Sequence, residues 1–151
     1  MPIRILCVGK KHESWVADGI ERYQKRLQRP FMVEWVLLPH SARDGDSARQ
    51  DESERLLSRL NDDYVILLDE RGKNLTSPAL SAALLTPLES SRNVTIIIGG
   101  AYGVDHTIHD RANLIWSLSN LVFPHQLARL ILIEQLYRAQ EIAGGRPYHH
   151  E

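Results

Sequence analysis

One cysteine, Cys7, stands among 151 residues, and a lone thiol builds no disulfide framework. That usage fits a reducing cytoplasm. Inside the apolar run Ile3–Val8 the thiol reads as a small buried hydrophobe, not a nucleophile. No stretch is long and apolar enough to span a bilayer, so no membrane partner is expected. The opening MPIRILCVGKKH lacks the layout of a signal peptide. Net charge is scarce as well: 18 Lys and Arg against 19 Asp and Glu leave −1. Proteins that hold bare nucleic acid through many phosphates are usually strongly basic. A role on nucleic acid would therefore need a local basic patch or a structured assembly to recognise. Repeats, linkers and low-complexity segments are missing too. Hydrophobic content of 43% and charged content of 25% are those of an ordinary globular chain, and the length suits one domain over residues 1–151.

Two ligand signatures are also missing. The glycine loop Gly99-Gly100-Ala101-Tyr102-Gly103 has G-G-x-x-G spacing rather than G-x-G-x-x-G, and it follows the fourth strand rather than the first. No P-loop lysine pattern occurs. His106 and His109 have helical spacing, yet no cysteine or carboxylate set completes a metal shell, so metal-independent chemistry is expected.

What is present alternates regularly between strands and helices. Ile3–Val8, Phe31–Leu38, Tyr64–Leu68, Val94–Ile98 and Leu114–Leu118 read as strands. Helices are expected over Trp15–Gln28, where Val16, Ile20, Tyr23 and Leu27 recur on one face, and from Ser47, with Gln50 as its capping-box partner, to about Leu60. Ser77 with Pro78 opens another to about Leu85, and Asp105 caps a short one through Ala112. This pattern predicts an α/β domain with a mostly parallel sheet of five to six strands and helices on both faces. Arg22, Lys25, Arg26 and Arg29 on the first helix read as a solvated face.

The last helix, Gln126 to Ile142, carries Leu127, Leu130, Ile131, Leu132, Ile133 and Leu136, too many apolar residues for one stripe. Such a helix is buried on more than one side. Glu134 and Arg138, four apart, interrupt it. Gly144-Gly145 ends it at an expected left-handed cap and releases a tail that contains Tyr148, His149 and His150.

The run LSNLVFPHQLARLILIEQLYRAQEIAGGRPYHHE (Leu118–Glu151), with LLDERGK (Leu67–Lys73) and IIIGGAYG (Ile96–Gly103), closely resembles the SPOUT-class methyltransferases that methylate a pseudouridine in large-subunit ribosomal RNA. The likeness covers essentially the whole chain. It implies a carboxyl-terminal trefoil knot, an exception to the rule against knots. It also implies S-adenosylmethionine as methyl donor, a homodimer, and N3 of a pseudouridine in 23S rRNA as the target. The modest charge suggests an assembled ribosome as substrate rather than naked RNA, with DNA not expected as a partner.

In open parallel sheets ligands sit beyond the carboxyl ends of the strands. Three segments leave such ends here: Asp69–Lys73, Gly99–Asp105 and Ser119–Pro124. By resemblance the donor pocket is Leu68, Gly99 and Leu118–Phe123, that is Leu118, Ser119, Asn120, Leu121, Val122 and Phe123. On their own the apolar members would serve equally as core. His125, at the helix start, is expected to be neutral and to order the donor loop. Tyr148 can stack on or hydrogen-bond a base, and His149 titrates in the range a proton acceptor needs. Arg138 and His150 complete the catalytic candidates. Relatives commonly carry Arg or Lys where this chain has His150, and a neutral imidazole cannot replace a guanidinium. Activity that falls as pH rises through the His150 titration is the expectation. Two other readings stay open: a nucleotide-dependent oxidoreductase on a similar sheet, and a ribosome-binding factor that has lost the chemistry.

Overall fold

The computed structural model describes residues 1–148 of the chain. Its strands are β1 (Ile3–Val8), β2 (Val33–Leu38), β3 (Tyr64–Asn74), β4 (Val94–Ile98) and β5 (Leu114–Ser117). Its helices are α1 (Ser14–Gln24), α2 (Gly45–Leu57), α3 (Ser77–Glu89), α4 (His106–Arg111) and α5 (His125–Ala143). The five strands form one parallel sheet in the order β2-β1-β4-β3-β5. All carboxyl ends therefore share one edge.

The sheet is buried on both faces, which explains why its central strands are near-continuous Ile, Leu and Val. Successive side chains point to opposite faces. Ile3, Ile5 and Cys7 thus join one core with Val16 and Ile20 of α1, Leu80 and Leu84 of α3, and Leu132, Ile133 and Leu136 of α5. Leu6 and Val8 join the other, under Leu56 of α2 and Ile108 of α4. Cys7 is buried as expected, and burial pushes its thiol up to about 12, so it stays a thiol. The multi-sided burial of α5 arises within one chain, because the helix packs against the sheet between α1 and α3. Gly19 of α1 makes that contact close, since a Cβ there would lie 2.7 Å from Leu130 Cδ1.

Several boundaries differ from those the sequence suggests. Asp69–Lys73 is not a free loop but the irregular part of β3. Pairing with β5 breaks after Leu68↔Trp116 and resumes at Lys73↔Trp116 and Asn74↔Ser117. Gly72 permits this, because a Cβ there would sit 2.5 Å from the Ile115 carbonyl oxygen. Helix α1 ends at Gln24 instead of Gln28, and β2 begins at Val33 instead of Phe31. Helix α2 starts ahead of the Ser47–Gln50 box, at Gly45, with Asp44 as its N-cap. For α3 the cap is Thr76, whose side chain accepts from the Ala79 amide at 3.2 Å, while Ser77 donates to Gln135 of α5. Pro87 falls in the last turn of α3, so the helix continues to Glu89.

The end of α5 follows the glycines as expected. Gly145 has φ +69°, its amide donates to Ile142 O, and the Arg146 amide donates to Glu141 O at 2.8 Å. These two bonds make a Schellman cap. A side chain at Gly145 would meet nothing, so Gly145→Ala should cost about 1 kcal/mol from left-handed backbone strain alone. Leu136→Ala, which opens a cavity between α5 and the sheet, should cost about 3 kcal/mol. Urea titration of the two variants checks this, and an equal loss in both would contradict it.

Candidate active site

Three post-strand segments meet at the carboxyl edge around a cavity of roughly 660 Å³. Asp69, Glu70 and Arg71 come from the irregular part of β3, Gly99–Val104 from beyond β4, and Leu118, Ser119 and Leu121–Phe123 from beyond β5. His125 and Ala128 close it from the first turn of α5. Of the expected donor residues, Leu68, Gly99, Leu118, Ser119, Leu121, Val122 and Phe123 line this cavity, whereas Asn120 is exposed and does not. The β5–α5 segment is shaped locally: Ser117 Oγ donates to Ser119 O at 2.7 Å, and Ser119 Oγ accepts from the Leu121 amide at 3.0 Å.

The glycine loop is held close to its neighbours. A Cβ on Gly100 would lie 2.6 Å from Glu52 Oε1, and one on Gly99 would lie 3.0 Å from Val104 Cγ1. His125 holds the same loop from the α5 side, with Nε2 2.9 Å from the Gly99 carbonyl oxygen. A carbonyl only accepts, so Nε2 carries the hydrogen. Burial, and then the nearby Arg129 guanidinium, lower the His125 pKa, and the imidazole is neutral at pH 7.

One wall is acidic. Burial pushes the Asp69 carboxyl up, but hydrogen bonds from the Arg71 side chain and amide outweigh it and hold Asp69 below the ordinary carboxylate range. Arg71 Nε and Nη2 reach the two Asp69 oxygens at 3.1 and 3.0 Å, and His109 Nε2 lies 3.3 Å from Oδ2. Charge patterning gave no signal for this arrangement, because the strand irregularity that builds it is invisible in sequence.

Behind the cavity, Arg129 is completely buried. Its Nη1 donates to Lys10 O at 2.9 Å and to His12 Nδ1 at 3.1 Å. An arginine in a largely apolar helix is conspicuous in sequence, yet Arg129 was not among the expected site residues.

Tyr148 and Arg138 sit elsewhere. Tyr148 lies against α5, donating to Glu134 Oε2 at 3.1 Å with its ring edge-on to Tyr137 and 4.9 Å below the Arg138 guanidinium. Arg138 also pairs with Glu134, Nη2 to Oε2 3.2 Å. Burial, and then the Glu134 charge, push the Tyr148 phenol up to about 12, so it remains protonated. Neither Tyr148 nor Arg138 lines the cavity. His149 and His150 lie outside the described residues.

Residues 1–149 match the family described as Predicted SPOUT methyltransferase. The chain belongs to the SPOUT methyltransferase family. It is 36% identical to the ribosomal RNA large subunit methyltransferase H of Methylobacillus flagellatus, an alignment covering 100% of both chains. It is 40% identical to the protein of that name from Desulfitobacterium hafniense, over 99% of each. A solved structure of a probable methylase family protein from Haemophilus influenzae Rd KW20 superposes with a TM-score of 0.58 at 12% identity, covering 99% of this chain and 70% of that one. That likeness shows the fold.

As a SPOUT methyltransferase the chain carries an α/β domain, and membership of the class implies the carboxyl-terminal knot. The oxidoreductase reading falls away with the family. The residues of the cavity also fit a methyl-donor sulfonium: apolar Leu118 and Phe123 for a flat heterocycle, backbone of the glycine loop, and ionised Asp69 near a cation. Among the described residues no cluster of three His, Cys, Asp or Glu is placed to hold a metal, and no helix is long and apolar enough to cross a membrane.

Because the folded-state pKa of His125 is depressed, the unfolded chain takes up this proton first as pH falls below about 6.5. Stability is therefore full above that pH and declines below it, levelling once the folded imidazole also protonates. His12, lowered by burial and Arg129, adds a loss of the same sign. His125→Gln, which keeps a donor near Gly99 O, should lose less stability than wild type between pH 7 and pH 5.5. Urea midpoints at both pH values check it, and an equal drop would assign the linkage elsewhere.

Proposed function

We propose that this chain transfers a methyl group from S-adenosylmethionine to N3 of a pseudouridine in 23S rRNA. In this reading it acts as a cytoplasmic homodimer on the assembled ribosome. The observation that carries the reading is the cavity itself, which joins an apolar wall, a glycine-loop backbone and an ionised carboxylate at the carboxyl edge of a SPOUT sheet. The relatives' names supply the substrate class.

When bound, S-adenosylmethionine supplies an electrophilic methyl group on a sulfonium. Leu118 and Phe123 would pack against the heterocycle, with Leu68, Gly99, Leu121 and Val122 around it. Asp69, locked by Arg71, keeps negative charge beside the cation. His125 fixes the Gly99 carbonyl and adds no charge of its own. Displacement at a methyl carbon is governed by alignment, so positioning is the main contribution of these residues. As the nitrogen–carbon bond forms and the carbon–sulfur bond breaks, the N3 proton must leave. Tyr148, with its phenol proton held, is suited to hydrogen-bond or stack on the base, and His149 is the candidate acceptor of the proton. Arg138 and His150 are assigned to the charge that develops on the base.

A second copy has a physical motive here. Tyr148 docks on α5 around Glu134–Arg138, about 14–20 Å along the helix from His125 at 1.5 Å per residue. Within one chain, Tyr148 and the cavity are separated. Trp15, Leu121, Val122 and Tyr102 are exposed around the cavity side, 53%, 69%, 77% and 47% respectively, and apolar surface of that kind favours association. A dimer that covers them would bring one protomer's tail towards its partner's cavity.

Radiolabelled methyl transfer tests the reading on whole ribosomes, separate subunits and free rRNA that lack the modification. Label in large-subunit rRNA from whole ribosomes only is the expected outcome. Donor binding without label on any substrate would favour the ribosome-binding factor instead, and near-equal labelling of free rRNA would remove the assembled-surface claim.

A further inference from the structure

We propose that the β1–α1 loop, through Lys10 and Lys11, is a rigid contact for rRNA backbone phosphates beside the donor cavity. This rests on the rRNA-methyltransferase reading above. The loop begins where β1 ends. Cys7 pairs with Ile98, and Val8 Cγ1 lies 3.2 Å from where a Gly100 Cβ would be. Lys10 is thus on the order of 10 Å from the glycine loop, at strand spacings of about 4.8 Å across and 3.3 Å along.

The backbone of this loop is stitched to the first two turns of α5. Arg129 holds the Lys10 carbonyl at 2.9 Å. Gln126 accepts from the Glu13 amide at 3.0 Å and donates to Lys11 O at 3.4 Å. His12 accepts from Arg129 and packs edge-on against Trp35, 4.8 Å between ring centroids. The same helix turns supply His125 and Ala128 to the cavity, so loop and cavity share one support.

Its charges, by contrast, are free. Lys10 and Lys11 are exposed, and among the described residues neither ammonium has a hydrogen bond or ion pair. The carboxylate of the same loop is already used: Glu13 accepts from the Trp15 indole at 3.0 Å. In a chain of net charge −1, these two cations stand side by side on an ordered loop at the reactive edge. A fixed backbone presents them without a further backbone ordering cost on binding. Phosphate is the chemistry such ammonium groups meet best, as point charges without base readout.

The experiment uses the full chain and unmodified ribosomes over a range of salt, with binding followed by co-sedimentation and chemistry by label transfer. Lys10→Ala/Lys11→Ala should raise the ribosome KM about tenfold and reduce the salt slope of binding by about two, roughly one per phosphate contact. Donor affinity and kcat at saturating ribosome should hold. Lys25→Ala, exposed at the opposite edge after α1, is the control and should change neither quantity. An unchanged salt slope overturns the proposal, and a raised KM with an unchanged slope does so too, since it would place the lysines against protein. A slope that shifts in a chain that binds ribosomes but transfers no label would sink the substrate reading and leave the loop contact standing.

Discussion

The structure depends on one helix being buried at both levels, apolar along its middle and polar at its start. Leu132, Ile133 and Leu136 seat α5 against the sheet, with α1 and α3 on either side. Its first two turns then reach the two loops that matter: His125 to the Gly99 carbonyl, and Gln126 and Arg129 to the β1–α1 backbone. Parallel strands put all their carboxyl ends on one edge, but that alone leaves loops free to wander. Here the loops are tied to a rod that cannot move without disturbing the core. The cavity is preorganised for that reason.

Electrostatics follow the same plan. A sulfonium donor is cationic and an rRNA acceptor is polyanionic, so the proposed reading needs opposite fields a short distance apart. In that reading the ionised Asp69, with Glu70 beside it, faces the cavity. The proposed contact of Lys10 and Lys11 lies outside it. Histidines near the boundary, His12 and His125, are both held below their ordinary pKa by burial and Arg129, so at neutral pH they add no charge to either field.

Much of this was legible in the residues. Strand–helix alternation gave the sheet, and the residues after each strand gave the cavity, with Asn120 the one donor candidate left off its lining. Helix ends were less legible, because Pro87 in a last turn looks like a stop and Thr76 competes with Ser77 as a cap. Two features had no readable signal. The β3 irregularity hides behind the charged run Asp69-Glu70-Arg71, which reads as a loop until the close approach of Gly72 to β5 is known. Tyr148 was read as the head of a released tail, whereas its ring finds Tyr137 and its hydroxyl finds Glu134. Side-chain docking of a terminal residue depends on which face of α5 is left open, and that is a tertiary fact.

Arg129 is the part of this arrangement that most needs a reason. Burying a guanidinium is costly, and its Nε and Nη2 find no hydrogen-bond partner among the described residues. Burial lowers its pKa, yet a guanidinium starts so far above neutrality that it remains charged at neutral pH. An apolar residue of similar volume would fill the space without the desolvation penalty. It would also release the Lys10 carbonyl and the His12 ring, and with them the course of the loop. Gly9 shows how tightly that course is set: its φ is +145°, and a Cβ would stand 3.1 Å from Arg129 Nη2. Two residues thus give up ordinary stability at the same point, one in backbone freedom and one in solvation. What both secure is the direction in which the chain leaves β1, and hence where Lys10 and Lys11 stand relative to the donor cavity.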